Sequence, residues 1–211
     1  MAAKIRKSRG NIIFDCQSQK EIKMGITVYY KGKVNEAGMV DDIVKELTEI
    51  SEGLKWKYEI VNDKNLKVKG IIIRPHEKSE TFSILANKNL NLISIGALHL
   101  KKPDEESSQV ASIKTQYAPI QIHIGIIKLL KYLKKKYIYN LEVFDEGDYW
   151  RTMDENILDQ KMSFLLARIN LIGDILDTHK EEFEKLGSSE KVVEKIEELL
   201  KNYGFKRTDY D

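Results

Sequence analysis

Seven residues near the C-terminal end, Leu158, Met162, Leu165, Ile169, Ile172, Leu176 and His179, follow one another at alternating steps of four and three. That spacing is an a/d seam held over three heptads, and every member but His179 is apolar. A helix carrying such a seam needs an apolar surface to lie against, either from its own chain or from a second protein. Thr152 and Glu155 stand just ahead of it at capping-box spacing. Gly187-Ser188-Ser189 then makes a turn, and Val193, Ile196, Leu200 and Tyr203 line one side of a last helix ended by Gly204. Residues 152–211 are therefore expected to form an αα-hairpin, packed on the preceding domain or on a second subunit.

The period is different ahead of the hairpin. Ile12–Phe14 and Ile26–Tyr30 read as strands, the second alternating Ile26, Val28 and Tyr30 with Thr27 and Tyr29. Val40, Ile43, Val44, Leu47 and Ile50 recur at helical spacing, with Gly53 placed to stop the helix. Trp56, Tyr58 and Ile60 alternate as a strand, and Asn62-Asp63-Lys64-Asn65 turns the chain into Leu66–Ile73. The last four residues of that strand, Gly70-Ile71-Ile72-Ile73, have no polar face, as in a central strand covered on both sides. Arg74-Pro75 ends it, and Thr81–Leu85 and Leu90–Ile95 follow as two further strands. The expected fold class is α+β: an antiparallel sheet with packed helices over residues 11–151, then the hairpin. Residues 1–10 read as a flexible basic arm, and the polar stretch 101–112 as an exposed loop able to act as a lid.

A length of 211 residues suits one such domain with a helical appendage. Charged residues make up 32% of the chain, yet the formal charge is only +2, so no global field draws it to nucleic acid or to membranes. A local excess exists, with a net +6 over residues 1–34. It suggests a phosphate-binding tail, although a solvated terminus is the plainer reading. Cys16 is the only cysteine, which excludes an internal disulfide and a cysteine-rich zinc site and fits a reducing compartment. No apolar run approaches the roughly 18–20 residues of a membrane span, and the basic start lacks the apolar core of a secretory signal. The expected location is cytoplasmic.

Most of the candidate chemistry lies between Thr115 and Asp154. Pro119 suits the first position of a helix, which puts Ala118 at the cap, where it offers no oxygen to the first amides. Tyr117 and Ile122 have the spacing of a hydrophobic staple. Uncapped donors at a helix start would suit a small anionic ligand, with Thr115, Gln116 and Arg74 around it; the plainer alternative is that Thr115, Gln116 or another loop supplies the acceptor. His123 lies one turn in on the apolar stripe, placed for a structural role or for acid/base or metal work. Lys128, Lys131 and Lys135 share a face that reads as solvated.

Beyond the next strand, Leu141–Phe144, Asp145, Glu146 and Asp148 cluster at a bend allowed by Gly147. Oxygen ligands of that kind would suit a divalent cation such as Mg²⁺ or Ca²⁺, though the spacing is not that of an EF-hand. Tyr149 and Trp150 would wall a pocket or cover the end of the core. A second polar group, Arg74, His76 and Glu77, leaves the most apolar strand. Candidate catalytic residues are thus His123, His76 and Glu77, while His99 and His179 read as structural.

Nucleotide-binding glycine loops, HExxH, GxSxG and CxxC are all absent. The sequence therefore supports two main expectations, with nucleic-acid binding through the basic N-terminal arm third behind them. One is an intracellular binding or accessory protein with a polar cleft near the start of the Pro119 helix, engaging a protein partner or a second copy through its C-terminal helices. The other is a metal-assisted hydrolase using the 145–148 turn with His123 or His76.

Overall fold

The computed structural model describes residues 25–202. The expected strand Ile12–Phe14, the basic arm, Cys16, and Tyr203 and Gly204 at the end of the last helix lie outside them. The elements run β1 (Thr27–Lys31), α1 (Met39–Leu54), β2 (Lys57–Asp63), β3 (Val68–Arg74), β4 (Phe82–Ala86), β5 (Leu92–Ile93), α2 (Ile95–His99), β6 (Ala111–Lys114), α3 (Ile120–Lys136) and β7 (Glu142–Asp145). Four helices follow: α4 (Tyr149–Thr152), α5 (Glu155–Thr178), α6 (Lys180–Lys185) and α7 (Ser189–Asn202). The fold is α+β, as the alternation of periods requires.

Two antiparallel sheets form rather than one. The expected meander is the sheet β2-β3-β4-β5, whereas β1 sits between β6 and β7 in a second sheet. The two are stitched where β1 ends. Lys33 bridges to Asn91, Leu92 N–H donates to the Gly32 carbonyl, and Val34 N–H donates to the Leu90 carbonyl. Tyr30 adds a side-chain link: its hydroxyl donates to the Ser83 carbonyl at 2.7 Å and accepts from Ser83 N–H at 3.2 Å, fully buried.

The apolar run in β3 is explained by two cores. Ile71 and Ile73 join the main core with Val40, Ile43 and Leu47 of α1, Ile126, Ile127 and Leu130 of α3, and Leu158, Met162 and Leu165 of α5. Ile72 faces the other way, onto Val68, Leu85, Ile93 and Ala97, with Ile95 and Leu98 of α2 covering them. Gly70 has no room for a side chain, since a Cβ there would stand 2.0 Å from the Ile84 carbonyl oxygen.

Local boundaries differ from expectation for physical reasons. α1 runs past Gly53 and stops at Lys55, which adopts the left-handed conformation, while Trp56 N–H returns to the Ser51 carbonyl. Asp154, not Thr152, caps α5 by accepting from Asn156 and Ile157, and the Thr152 hydroxyl instead donates to the Asp148 carbonyl. The 101–112 stretch is not an open loop throughout. Asn87 Nδ2 donates to the Pro103 carbonyl, Glu106–Ser108 makes a 3-10 turn, and Ala111 opens β6. Few apolar residues announce that segment, so its pairing with β1 decides it.

Candidate functional site

The loop after β6 continues the ladder to β1. Thr115 N–H donates to the Ile26 carbonyl, and Gln116 Oε1 accepts from Ile26 N–H at 3.0 Å. This fixes both residues before the chain enters α3. The helix starts one residue later than the sequence suggests, at Ile120, with Pro119 in the cap position at ψ 142° and no side-chain cap. Pro119 and Gln121 are exposed, so the first turn opens to solvent. Thr115 does not cap it.

Instead the Thr115 hydroxyl lies 2.8 Å from His123 Nδ1, and both side chains are fully buried. On the far side of the imidazole, Nε2 is 3.1 Å from Asp145 Oδ1. That approach is off line, and Nε2 makes no aligned hydrogen bond. The Asp145 carboxylate is already engaged: Oδ1 accepts from Gly147 N–H at 2.7 Å and Oδ2 from Trp150 N–H at 2.8 Å. It therefore builds the turn and caps the start of α4. Gly147 is needed for this closeness, because a Cβ there would meet Leu158 Cδ1 at 2.6 Å and both His123 Cε1 and Asp145 Oδ1 at 3.1 Å.

Of the residues singled out by sequence, Thr115, His123, Asp145 and Trp150 are thus brought into one network. Tyr149 is buried in the core beside it. Trp150 is half-buried, with Lys131 and Lys134 ammonium groups 4.9 and 5.8 Å from its ring centre. So Lys131 is not simply on a solvated face.

The three acids of the turn diverge. Glu146 Oε2 accepts from Thr27 N–H at 2.9 Å, and Asp148 pairs with Lys161 and Arg151. Burial raises the Asp148 pKa, but the Lys161 and Arg151 charges outweigh it and hold the carboxyl below its ordinary range. Among the described residues, no group of three or more His, Cys, Asp or Glu is placed to hold a metal ion. His76 lies in the β3–β4 connection, where its Nδ1 accepts from Lys78 N–H. Arg74 and Glu77 are exposed nearby. Among the described residues, no hydrogen bond or ion pair joins these three to the His123 network.

Hydroxyl, imidazole and carboxylate in a row resemble a proton relay, but chemistry requires a reactant to reach them. Here all three side chains are sealed, so what the arrangement does is lock the β6–α3 loop, α3 and the β7–α4 turn together. Its spatial pairing across 22 residues, from His123 to Asp145, carries no local signal in the chain; only the residue types were legible.

The C-terminal helices present a different surface. Along the α5 seam, Leu158, Met162 and Leu165 are buried, Ile169 and Ile172 are half-buried, and Leu176 is 40% exposed. The apolar face begins in the core and runs out past it. Beyond that point α5 buries Ile175, a different face, and packs on α7, whose only buried residue is Leu199. Leu166 (37%) and Val193 (55%) add exposed apolar area, and sequence periodicity alone had not marked Leu166. No helix among the described residues is long and apolar enough to cross a membrane. No protein-family model, no curated protein and no solved structure matches the chain.

Proposed function

We propose that the chain is a binding or accessory protein that receives a partner protein on the overhanging half of α5. The observation that carries this reading is the seam itself, buried at Leu158, Met162 and Leu165 and uncovered by Leu176. A heptad pattern that outlasts its own core matches the geometry of a helix laid into a groove, read as anchors at i, i+3, i+4 and i+7. Ile172 and Leu176 supply two such anchors past Ile169, which still packs on the edge of the core, and Leu166 widens the stripe. The partner chemistry is an amphipathic helix whose apolar side fits these residues. The sealed His123 network supports the reading by giving the hairpin a rigid base.

The test places a photo-crosslinking residue at Leu176 and, as a control, at exposed Glu184. A saturable crosslink from position 176 only, abolished by Leu166→Lys with Ile169→Lys, is the expected result. Equal labelling from both positions would remove the reading. A crosslinked product of twice the chain mass would identify the partner as a second copy, and peptide mapping of the crosslink would show whether its α5 is the helix engaged.

A further inference from the structure

β2 is the longest edge strand among the described residues, and its outer edge has no strand beside it. Natural sheets protect such an edge with a proline, a bulge or a short strand. β2 has none of these and is guarded only by a fourth device, charged side chains, at Lys57, Glu59 and Asp63. Its seven residues contain no proline and pair one for one with β3, from Lys57 with Arg74 to Asp63 with Val68. Lys57, Tyr58, Glu59, Ile60 and Asn62 are exposed, Ile60 at 54% despite standing at the middle of the strand. An exposed, β-branched residue at the centre of a bulge-free edge invites another strand.

We infer that β2 pairs antiparallel with β2 of a second copy, about a two-fold axis through Ile60, joining the two sheets across their edges. Charge selects both the occupant and the register. Backbone groups point outward from a strand at every second residue, so self-pairing joins residues of equal parity and the axis must pass through a residue. Three axes keep most of the strand paired. An axis through Glu59 sets Glu59 against its own copy, and one through Val61 sets Glu59 opposite Asp63 twice. Both place like charges face to face, which is unfavourable.

The axis through Ile60 sets Lys57 opposite Asp63 at both ends, Tyr58 opposite Asn62, Glu59 opposite Val61 and Ile60 opposite Ile60. Every directly opposed charged pair in that register is attractive or neutral, and the like charges that remain, Glu59 with Glu59 and Asp63 of the second copy, are only diagonal neighbours. Asp63 is also held in place, because its Oδ1 accepts from Asn65 and Leu66 N–H at 2.9 Å each, leaving Oδ2 for the lysine of the second copy. Lys57 has no ion-pair partner among the described residues. The edge is complementary to itself, and this does not depend on the α5 reading.

Sedimentation velocity on the full chain over a range of concentrations tests the pairing. A reversible monomer–dimer equilibrium is expected, with Ile60→Lys and Lys57→Glu each weakening it about tenfold or more: the first sets two lysines face to face on the axis, and the second replaces an attraction by a repulsion at both ends. Lys57→Arg should leave it intact, and so should Leu166→Lys on α5. Register is read separately: in a Cys16→Ser background, Ile60→Cys should form a disulfide-linked dimer on oxidation, whereas Asn62→Cys, facing Tyr58 rather than itself, should not. Ile60 and Lys57 are exposed, so circular dichroism should show both variants folded; if Ile60→Lys is not, Lys57→Glu decides. A monomer at every concentration, or a dimer indifferent to both substitutions, would overturn the inference.

Discussion

His123 Nε2 and Asp145 Oδ1 stand 3.1 Å apart in the interior, with the Thr115 hydroxyl on the other nitrogen of the same ring. One imidazole is thus hydrogen-bonded to Thr115, eight residues back in the chain, and is in close but unaligned contact with the carboxylate 22 residues on. Because Asp145 also satisfies the Gly147 and Trp150 amides, its removal strands buried donors. Asp145→Ala should cost roughly 2–4 kcal/mol in chemical denaturation, and Thr115→Val about 1 kcal/mol, since only one hydrogen bond is lost. Equal and negligible effects would mean that solvent already serves these groups.

Gly147→Ala probes the same place by adding volume. The new methyl would press on Leu158 and on the His123 ring. A loss of roughly 1–3 kcal/mol is expected from overpacking, with a matching fall in melting temperature.

Tyr30 links the two sheets, and burial pushes its phenol up to about 12. The folded pKa is above the unfolded one near 10, so its contribution is complete below pH 10 and is lost as pH rises toward 12. Alkaline denaturation curves should show this loss, and Tyr30→Phe should flatten it. The same change should cost roughly 1–3 kcal/mol at neutral pH, because it removes both bonds to Ser83 and leaves two buried backbone groups unpaired. An identical alkaline slope in the variant would assign the effect elsewhere.

Asp148 gives the opposite sign. Its folded pKa is depressed, so the contribution is present above the ordinary carboxylate value and fades as pH falls through the lowered one. Asp148→Asn should cost no more than about 1 kcal/mol at neutral pH, because the pair with Lys161 is partly solvated. It should also make the remaining stability less sensitive to acid, measured by urea titration from neutral to pH 3.

Along α5 the same substitution should have two outcomes. Leu165→Ala removes core packing and should cost roughly 2–5 kcal/mol. Leu176→Ala, on the overhang, should change stability by no more than about 0.5 kcal/mol while weakening the crosslink expected from that surface. Comparable losses at both positions would show that the seam is covered along its whole length.

Periodicity determined a good deal unaided. The α1 stripe Val40, Ile43, Val44 and Leu47, the central strand with its run of isoleucines, and the seam from Leu158 to Leu165 were legible because local spacing mirrors the face an element buries. Residue type also picked out Thr115, His123 and Asp145. Tertiary structure alone decided that these three meet, that the strands divide between two sheets, and that Ala111 and its neighbours pair with β1. It also decided that β2 is an outer edge and that α5 outruns its core. Alternation in Tyr58 and Ile60 says strand whether or not anything covers it. Burial, unlike spacing, depends on where distant segments come to rest, and no local pattern encodes that.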